Sequence, residues 1–353
     1  MKFYYISTNN SYPQNRHLID GLRENGHVVS EVEEKSLGFG KYLKIAKNFW
    51  PQRHSYDSII VGFTSPHFVP IMRLISSKRI IYNGAFSQYE ANIVSRSISK
   101  KFSIRAIVWW LKDFISFLMS SKILLESNHQ IDYIHRLFFV SRKKMFRAWA
   151  GVNEKEFFLD KGIEKNKKIT ILFRGRFLPE SGVLTVIKAA KLLENMDVDF
   201  LIIGHGFLYR EFNKLMEELK PKNINVISEK TSADELRKEM LSCHISLGQL
   251  GDQERLSRTL PCKLFESLAL ELPYLTGRNA GALELLRENE TCIAVKPASP
   301  EELAEKILYL KKNPQVLERV AKQGHALYKE KLTSKQLAKD FTDNVFGILK
   351  IID

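Results

Sequence analysis

The chain has 353 residues, 44% of them apolar, and 54 Lys and Arg stand against 40 Asp and Glu for a net charge of +14. That length suits two domains, and that apolar fraction suits two hydrophobic cores. No apolar run approaches the ~20 residues of a membrane span, the N-terminus lacks a signal-peptide pattern, and Cys243, Cys262 and Cys292 form no CxxC pair, so neither a disulfide framework nor a zinc site is indicated and a reducing cytoplasm is expected.

In chain order, Lys2–Thr8 (KFYYIST) predicts a buried first strand. Arg16–Asn25 carries Leu18, Ile19 and Leu22 at helical spacing, with Gly26 as a stop, and His27–Val32 returns as a strand. This strand–helix–strand opening predicts a parallel sheet. Asp57–Phe63 and Lys78–Tyr82 are further strands. Loops at the carboxyl ends of such strands are where open α/β sheets take ligands, which makes His67, Asn83 and Gln88 acceptor-side candidates. Val94–Ser121 reads as one basic, aromatic helix: Arg96, Lys100, Lys101 and Arg105 precede Trp109, Trp110, Phe114 and Phe117. Cations beside Trp and Phe suit a helix lying on an anionic membrane face; a core helix burying its aromatics is the alternative. Lys122–Ser127 is a strand, Asn128–Phe138 a helix and Met145–Trp149 a short strand. The turn-rich Gly151–Phe158 follows, and the second polar stretch, Asp160–Lys168, then marks a domain boundary.

The α/β rhythm repeats. Strand Ile169–Phe173 runs into the loop RGRFLPESG and helix Val183–Leu193; strand Asp199–Ile203 ends in Gly204-His205-Gly206 before helix Leu208–Leu219. Strand Ile224–Ser228 and helix Ser232–Cys243 follow, the helix opened by an S-x-x-E capping box of Ser232 and Glu235. Strand His244–Leu247 leads to the stretch Arg255–Pro273, RLSRTLPCKLFESLALELP. Its cation-bearing loop passes through Pro261, expected just inside a helix start, and Glu266 lies one turn in. A helix N-terminus beside cations suits a phosphate, and a carboxylate one turn later suits vicinal hydroxyls, so the stretch reads as a nucleoside-diphosphate site or else as a solvated surface helix. Strand Tyr274–Thr276, helix Ala282–Glu288, strand Cys292–Val295 and a capped helix at Ser299–Glu302 come next, and the remainder is helical with breaks at Pro314 and near Thr333.

From Ile169 to Ile352 this pattern resembles the retaining GT-B glycosyltransferases of family four. Gly175-Arg176 with PESG is similar to that family's G-R-x-x-x-x-K-G loop, Gly204-x-Gly206 to its G-x-G, and PCKLFESLALELPYLTG to its nucleotide-binding helix and following strand. The first half resembles the fold more loosely, through KFYYIST, LIDGLRENGHVV and GVNEKEFF. The resemblance implies an α/β protein of GT-B type: two Rossmann-like, doubly wound parallel-sheet domains facing a cleft, with a C-terminal helix around Phe341–Ile352 crossing back. Residues 1–160 with 336–353 would be the acceptor-side domain and 161–335 the donor domain. It also implies transfer of a sugar from a nucleoside-diphosphate-sugar to a hydroxyl of a glycan or lipid-linked acceptor, with retention, in surface polysaccharide or glycan assembly. No cofactor and no metal are expected, since no Asp-x-Asp stands in the right context.

The resemblance places Arg176 on the diphosphate, Glu266 on the ribose hydroxyls, Lys263 near the phosphates, and Gly175, Gly204, His205 and Leu264 around the donor. Two positions depart from the family. Ser181 stands where a lysine is usual, and Arg258 where a glutamate is usual eight residues before Glu266. Arg258 or Arg255 is the expected replacement cation, and Glu254 or Asp252 the expected acid near the sugar. Catalysis is accordingly expected from Arg176, Arg258 and Glu254. The same departures leave open a nucleoside-diphosphate-sugar epimerase or a catalytically inactive nucleotide-sugar-binding protein. The basic residues are spread over α/β domains without a nucleic-acid-binding motif, so a nucleic-acid partner is not expected.

Overall fold

The computed structural model describes residues 1–229 and 232–347. The chain divides into two compact units: Met1–Asn153 with the segment from Leu332 onward, and Glu154–Lys331. Each is built on a six-stranded, all-parallel sheet.

In the first unit the elements are β1 (Lys2–Ser7), α1 (Pro13–Glu24), β2 (Val28–Glu33), α2 (Gly40–Phe49), β3 (Ser58–Val61), α3 (Phe68–Ile75), β4 (Arg79–Ala85), α4 (Ile104–Met119), β5 (Lys122–Leu125), α5 (Asn128–Phe138) and β6 (Met145–Arg147). The strands lie in the order β2-β1-β3-β4-β5-β6. Being buried on both faces, β3 and β4 read as near-continuous apolar runs, SIIV and RIIYNGA. One face is covered by α2, α3, α4 and α5 through a core that includes Tyr4, Ile59, Phe68, Tyr82, Phe117 and Phe138. The other is covered by α1 through Phe3, Tyr5, Leu18 and Leu22.

The second unit contains β7 (Ile169–Arg174), α6 (Val183–Leu192), β8 (Val198–Ile203), α7 (Tyr209–Leu219), β9 (Ile224–Ile227), α8 (Ala233–Ser242), β10 (Ile245–Leu247), α9 (Cys262–Ala269), β11 (Tyr274–Gly277), α10 (Ala280–Leu283), β12 (Ile293–Val295), α11 (Pro300–Lys312) and α12 (Pro314–Leu327). Its strand order, β12-β11-β10-β7-β8-β9, counts as 3-2-1-4-5-6 from β9's side of the doubly wound pattern, with the reversal falling between β7 and β10. The capping box at Ser232 and Glu235 is present, and Ser299 caps α11 by accepting from the Glu302 N–H. The last helix, α13 (Ser334–Phe346), belongs to the first unit. It packs along α1 and contributes Ala338, Phe341 and Val345 to that core. Of the C-terminal helix expected around Phe341–Ile352, residues 348–353 lie outside the described residues.

Two expectations are corrected. Residues 94–121 are not one helix: a π-type turn at Glu90–Ser95 and a loop precede α4, which starts at Ile104 behind a Ser103 cap accepting from Ala106. Its aromatics split as the core demands. Phe117 is fully buried, and Trp110 and Phe114 pack against the core, so most of the aromatic signal belongs to the interior. The helix expected at Ala282–Glu288 is only the short α10, and α2 had no counterpart in the sequence reading because it buries just Ile45 and Phe49.

Candidate functional site

The carboxyl edge of the second sheet gathers most of the second-unit candidates at the β7/β10 reversal. The chain leaves β7 through Gly175, at φ 137°, and leaves β8 through Gly204, at φ 149°, both positions that suit glycine. The two loops are strapped together. Gly175 N–H donates to the Ile203 carbonyl at 2.9 Å, Phe177 N–H to His205 at 2.9 Å, and Leu208 N–H to Phe177 at 2.9 Å. A Cβ on Gly204 would sit 1.9 Å from the Gly175 carbonyl oxygen, so the close approach requires its absence. Phe177 points inward and is fully buried, while Arg176 and His205 flank it on the outside and are exposed.

Beneath these loops lies α9. Pro261 is its N-cap and Cys262 its first residue, one position later than expected, and every residue from Lys263 to Ala269 is buried. This rules out the solvated surface helix. Lys263 carries its ammonium into the interior, donating to the Gly248 carbonyl at 3.0 Å and lying 4.4 Å from the centre of the Phe173 ring. A Cβ on Gly175 would lie 4.0 Å from its Nζ, so Lys263 sits directly under the Gly175 turn. Burial, reinforced by the Arg174 guanidinium and opposed by Glu266, brings the Lys263 ammonium down to about 7. Glu266 is 2% exposed and forms an ion pair with Arg174. Leu264 is fully buried, and its N–H is already bonded to Pro261 O at 3.0 Å.

Between β10 and α9 the chain runs over the loop before α6. Leu250 and Gly251 N–H groups donate to Ser181 and Glu180, both at 3.3 Å. Ser181 turns its hydroxyl onto Leu178 O at 2.7 Å. Arg255 is buried against Glu180 at 3.1 Å, and Arg258, also buried, holds the exposed Glu254 at 2.9 Å and Ser257 at 3.3 Å. Thus Arg255 reaches the segment where the lysine is missing, but a carboxylate neutralises it there. Lys263 is the cation with a carbonyl as its hydrogen-bond acceptor. Asp252 is exposed and accepts from the Gln253 side chain at 3.2 Å.

The first-unit candidates are not brought together. Asn83 is buried, donating to the Gln14 carbonyl at 2.9 Å on the α1 side of its sheet. His67 precedes α3 on the opposite side, its ring against Phe68 and Tyr42, with Nε2 lacking a hydrogen-bond partner among the described residues. Burial, with Lys41 and Lys112 nearby, brings its imidazole down to about 4. Gln88 is half-buried in the turn whose backbone caps Asp113.

Sequence reasoning missed Arg174 and Glu180, the charged partners of Glu266 and Arg255. The available signal was their place beside the marked glycines, in R-G-R and P-E-S-G. Among the described residues, no group of three His, Cys, Asp or Glu side chains is placed to hold a metal ion.

Residues 154–327 match the family model described as "Glycosyl transferases group 1". An uncharacterized glycosyltransferase of Methanocaldococcus jannaschii is 26% identical over 184 residues, which are 52% of this chain and 47% of that protein, so the match spans about half the length of the curated relative. Among solved structures, Anabaena HepE in complex with UDP and glucose superposes with a TM-score of 0.74 at 12% identity, covering 99% of this chain and 100% of that one. Sucrose-phosphate synthase from Thermosynechococcus elongatus gives 0.75 at 13%, covering 99% of each. At such identities the likeness shows the fold, which is that of GT-B glycosyltransferases.

Proposed function

Because residues 154–327 match the glycosyl transferases group 1 family model, we propose that the protein transfers a sugar from a nucleoside-diphosphate-sugar to a hydroxyl of a glycan or lipid-linked acceptor, with retention and without a metal, in surface polysaccharide or glycan assembly. The observation that carries this reading is the grouping at the β7/β10 reversal: two strapped glycine loops presenting Arg176 and His205, a helix N-terminus at Cys262, and the buried Lys263 and Glu266. The family match and the UDP named with Anabaena HepE support a nucleotide-sugar as the donor.

In this reading Arg176 and the ammonium of Lys263 stabilise the negative charge that builds on the diphosphate as the glycosidic bond breaks. Fixed cations aimed at developing charge lower the barrier without reorganising at the moment of reaction. Arg174 holds Glu266 in place through one carboxylate oxygen, and the carboxylate accepts hydrogen bonds from the ribose hydroxyls. The pair fixes the carboxylate before the donor arrives, which spares rotamer entropy on binding. The departing phosphate takes the acceptor proton on the same face of the sugar, so no second carboxylate is required. Arg258 holds Glu254 at the rim, where the acid approaches the sugar.

The test is a thermal-shift screen with UDP, GDP, ADP and CMP and their sugars. A ligand that binds only the folded chain raises the melting temperature by mass action. One nucleotide class should stabilise the chain, and transfer from its sugar should depend on an acceptor and survive chelation. Stabilisation by none of them refutes the donor reading. Release of epimer or free sugar without acceptor dependence refutes transfer.

A further inference from the structure

The outward side of α4 carries a feature that neither donor nor acceptor chemistry uses. Ile104, Ile107, Val108, Leu111, Ile115 and Leu118 are all exposed, from 40% to 82%. Their spacing of three and four residues places them on one stripe of the helix, opposite Ala106, Asp113 and Phe117, which face the core. Phe102, 95% exposed, extends the stripe ahead of the helix. At the other end Phe139, 86% exposed, follows the Phe138 ring that stacks on Trp110. Apolar side chains scattered singly need no explanation, but a continuous stripe along four turns does.

Charge distinguishes between the partners that could cover it. From Ser95 to Lys122 the chain has six basic residues and a single acid, Asp113. That acid is fully buried and turned inward, accepting from Ser87 Oγ at 2.7 Å and Tyr89 N–H at 2.8 Å. Within this segment the outward side therefore presents cations only. Lys100 and Lys101 precede the helix, Arg105 and Lys112, seven residues apart, line one edge of the stripe, and Lys144 donates to the Leu118 carbonyl at its far end. Lys112 also lies 5.0 Å from the centre of the Trp109 ring. The same 3-4 spacing would suit pairing with a second copy of the helix, but that pairing would bring cation-only flanks together with no acid to answer them. An apolar stripe edged by long cationic side chains and a tryptophan instead matches the boundary of an anionic bilayer, where the aliphatic groups enter the acyl region and the ammonium and guanidinium groups remain at the phosphates.

We propose that α4 is a membrane-docking helix, seating the first unit on an anionic lipid surface through its aliphatic stripe and cationic flanks. The docking elements belong to the first unit and the donor site to the second, so nucleotide binding and lipid binding fail independently. The test is flotation of the full chain with vesicles of phosphatidylcholine and phosphatidylglycerol in equal parts, against phosphatidylcholine alone. The chain should float with the mixed vesicles, and binding should weaken on adding salt. The double variant Ile107→Asp/Leu111→Asp and the triple variant Lys100→Glu/Lys101→Glu/Arg105→Glu should each bind at least about tenfold more weakly. Their thermal melting and nucleotide response should remain those of the parent, because these side chains face solvent. A second measurement needs no variant: brominated lipid in the mixed vesicles should quench the parent's tryptophan fluorescence. Failure of the parent to float, binding by the variants as tight as the parent's, or absence of quenching overturns the proposal. So does sedimentation showing a dimer that Ile107→Asp/Leu111→Asp dissolves while the parent ignores vesicles, which would assign the stripe to a second copy.

Discussion

Raising the pH should release the donor from its site through Lys263. Its ammonium ordinarily titrates at 10.5 and is held at about 7 by burial and by Arg174, with Glu266 opposing. Holding that cation in the interior costs on the order of 5 kcal/mol, at about 1.4 kcal/mol per pH unit. A diphosphate brought beside it returns part of that cost and raises the titration point of the bound form. Between the free and bound values the complex holds more protons than the free protein, so affinity for a nucleotide-sugar should be flat below pH 7 and fall up to about tenfold per unit above it. The empty protein should behave oppositely. Its unfolded state holds more protons than its folded state between 7 and 10.5, so Lys263 adds stability as pH rises through that window. Isothermal titration with a nucleotide-sugar from pH 6.5 to 9 reads the first effect, because a diphosphate diester does not itself titrate there. Proton uptake should also make the enthalpy depend on the buffer. Lys263→Met should bind weakly at every pH and lose both the slope and the buffer dependence. Affinity independent of pH in the parent, or an unchanged slope in Lys263→Met, refutes the reasoning.

Arg176 is exposed, so Arg176→Ala should leave stability within about 0.5 kcal/mol while lowering turnover by roughly a hundred- to a thousandfold, as loss of one charge-stabilising group does; Arg258→Ala, assayed beside it, tests the replacement-cation idea, and unchanged turnover and donor affinity would end that idea. Gly204→Ala should destabilise the second unit by more than about 3 kcal/mol in urea denaturation, because its Cβ would overlap the Gly175 carbonyl. Asp113 is pushed up to about 7, chiefly by burial, and its hydrogen bonds to Ser87 and to backbone only partly offset that. The folded state therefore holds the extra proton between roughly pH 4 and 7, so this group's contribution to stability is full below about 4, is lost progressively as pH rises across that window, and is gone above 7. Asp113→Asn should gain roughly 2–4 kcal/mol over the parent at pH 8 and much less at pH 5, read from denaturation curves at both.

The strands were legible where both faces are buried, because KFYYIS, SIIV and ITILFR leave little room for another reading. Helix starts were legible where a side chain closes them, as at Ser232 and Ser299. Partnerships across the chain were not legible. Arg174 meets Glu266, and Glu180 meets Arg255, only after the parallel crossovers bring β7, α9 and the loop before α6 to one edge of the sheet. Lys263 illustrates the limit. Its spacing placed it on α9, but nothing local distinguishes a solvated lysine from one drawn beneath a glycine turn. The stretch 94–121 failed for a related reason: its tryptophans and phenylalanines dominated the reading, whereas the fold sent most of those rings inward and left the aliphatic residues outside.

The return of α13 to the first unit has a consequence for how the protein is made. On the ribosome the sheet of β1–β6 is complete once Arg147 has emerged, but Ala338, Phe341 and Val345 belong to the core on its α1 face and emerge only after the second unit. Even the groove on α1 is shaped for the late helix, since a Cβ on Gly21 would lie 1.9 Å from the Ser334 carbonyl oxygen. Between these events the whole second unit, 154–331, is translated, which takes roughly 10–35 s at about 5–20 residues per second. The second unit is continuous in sequence and can close as soon as it emerges. The first must wait with an apolar face uncovered, so truncation before Ser334 should yield a nascent chain that chaperones retain, even though every strand of both sheets is present.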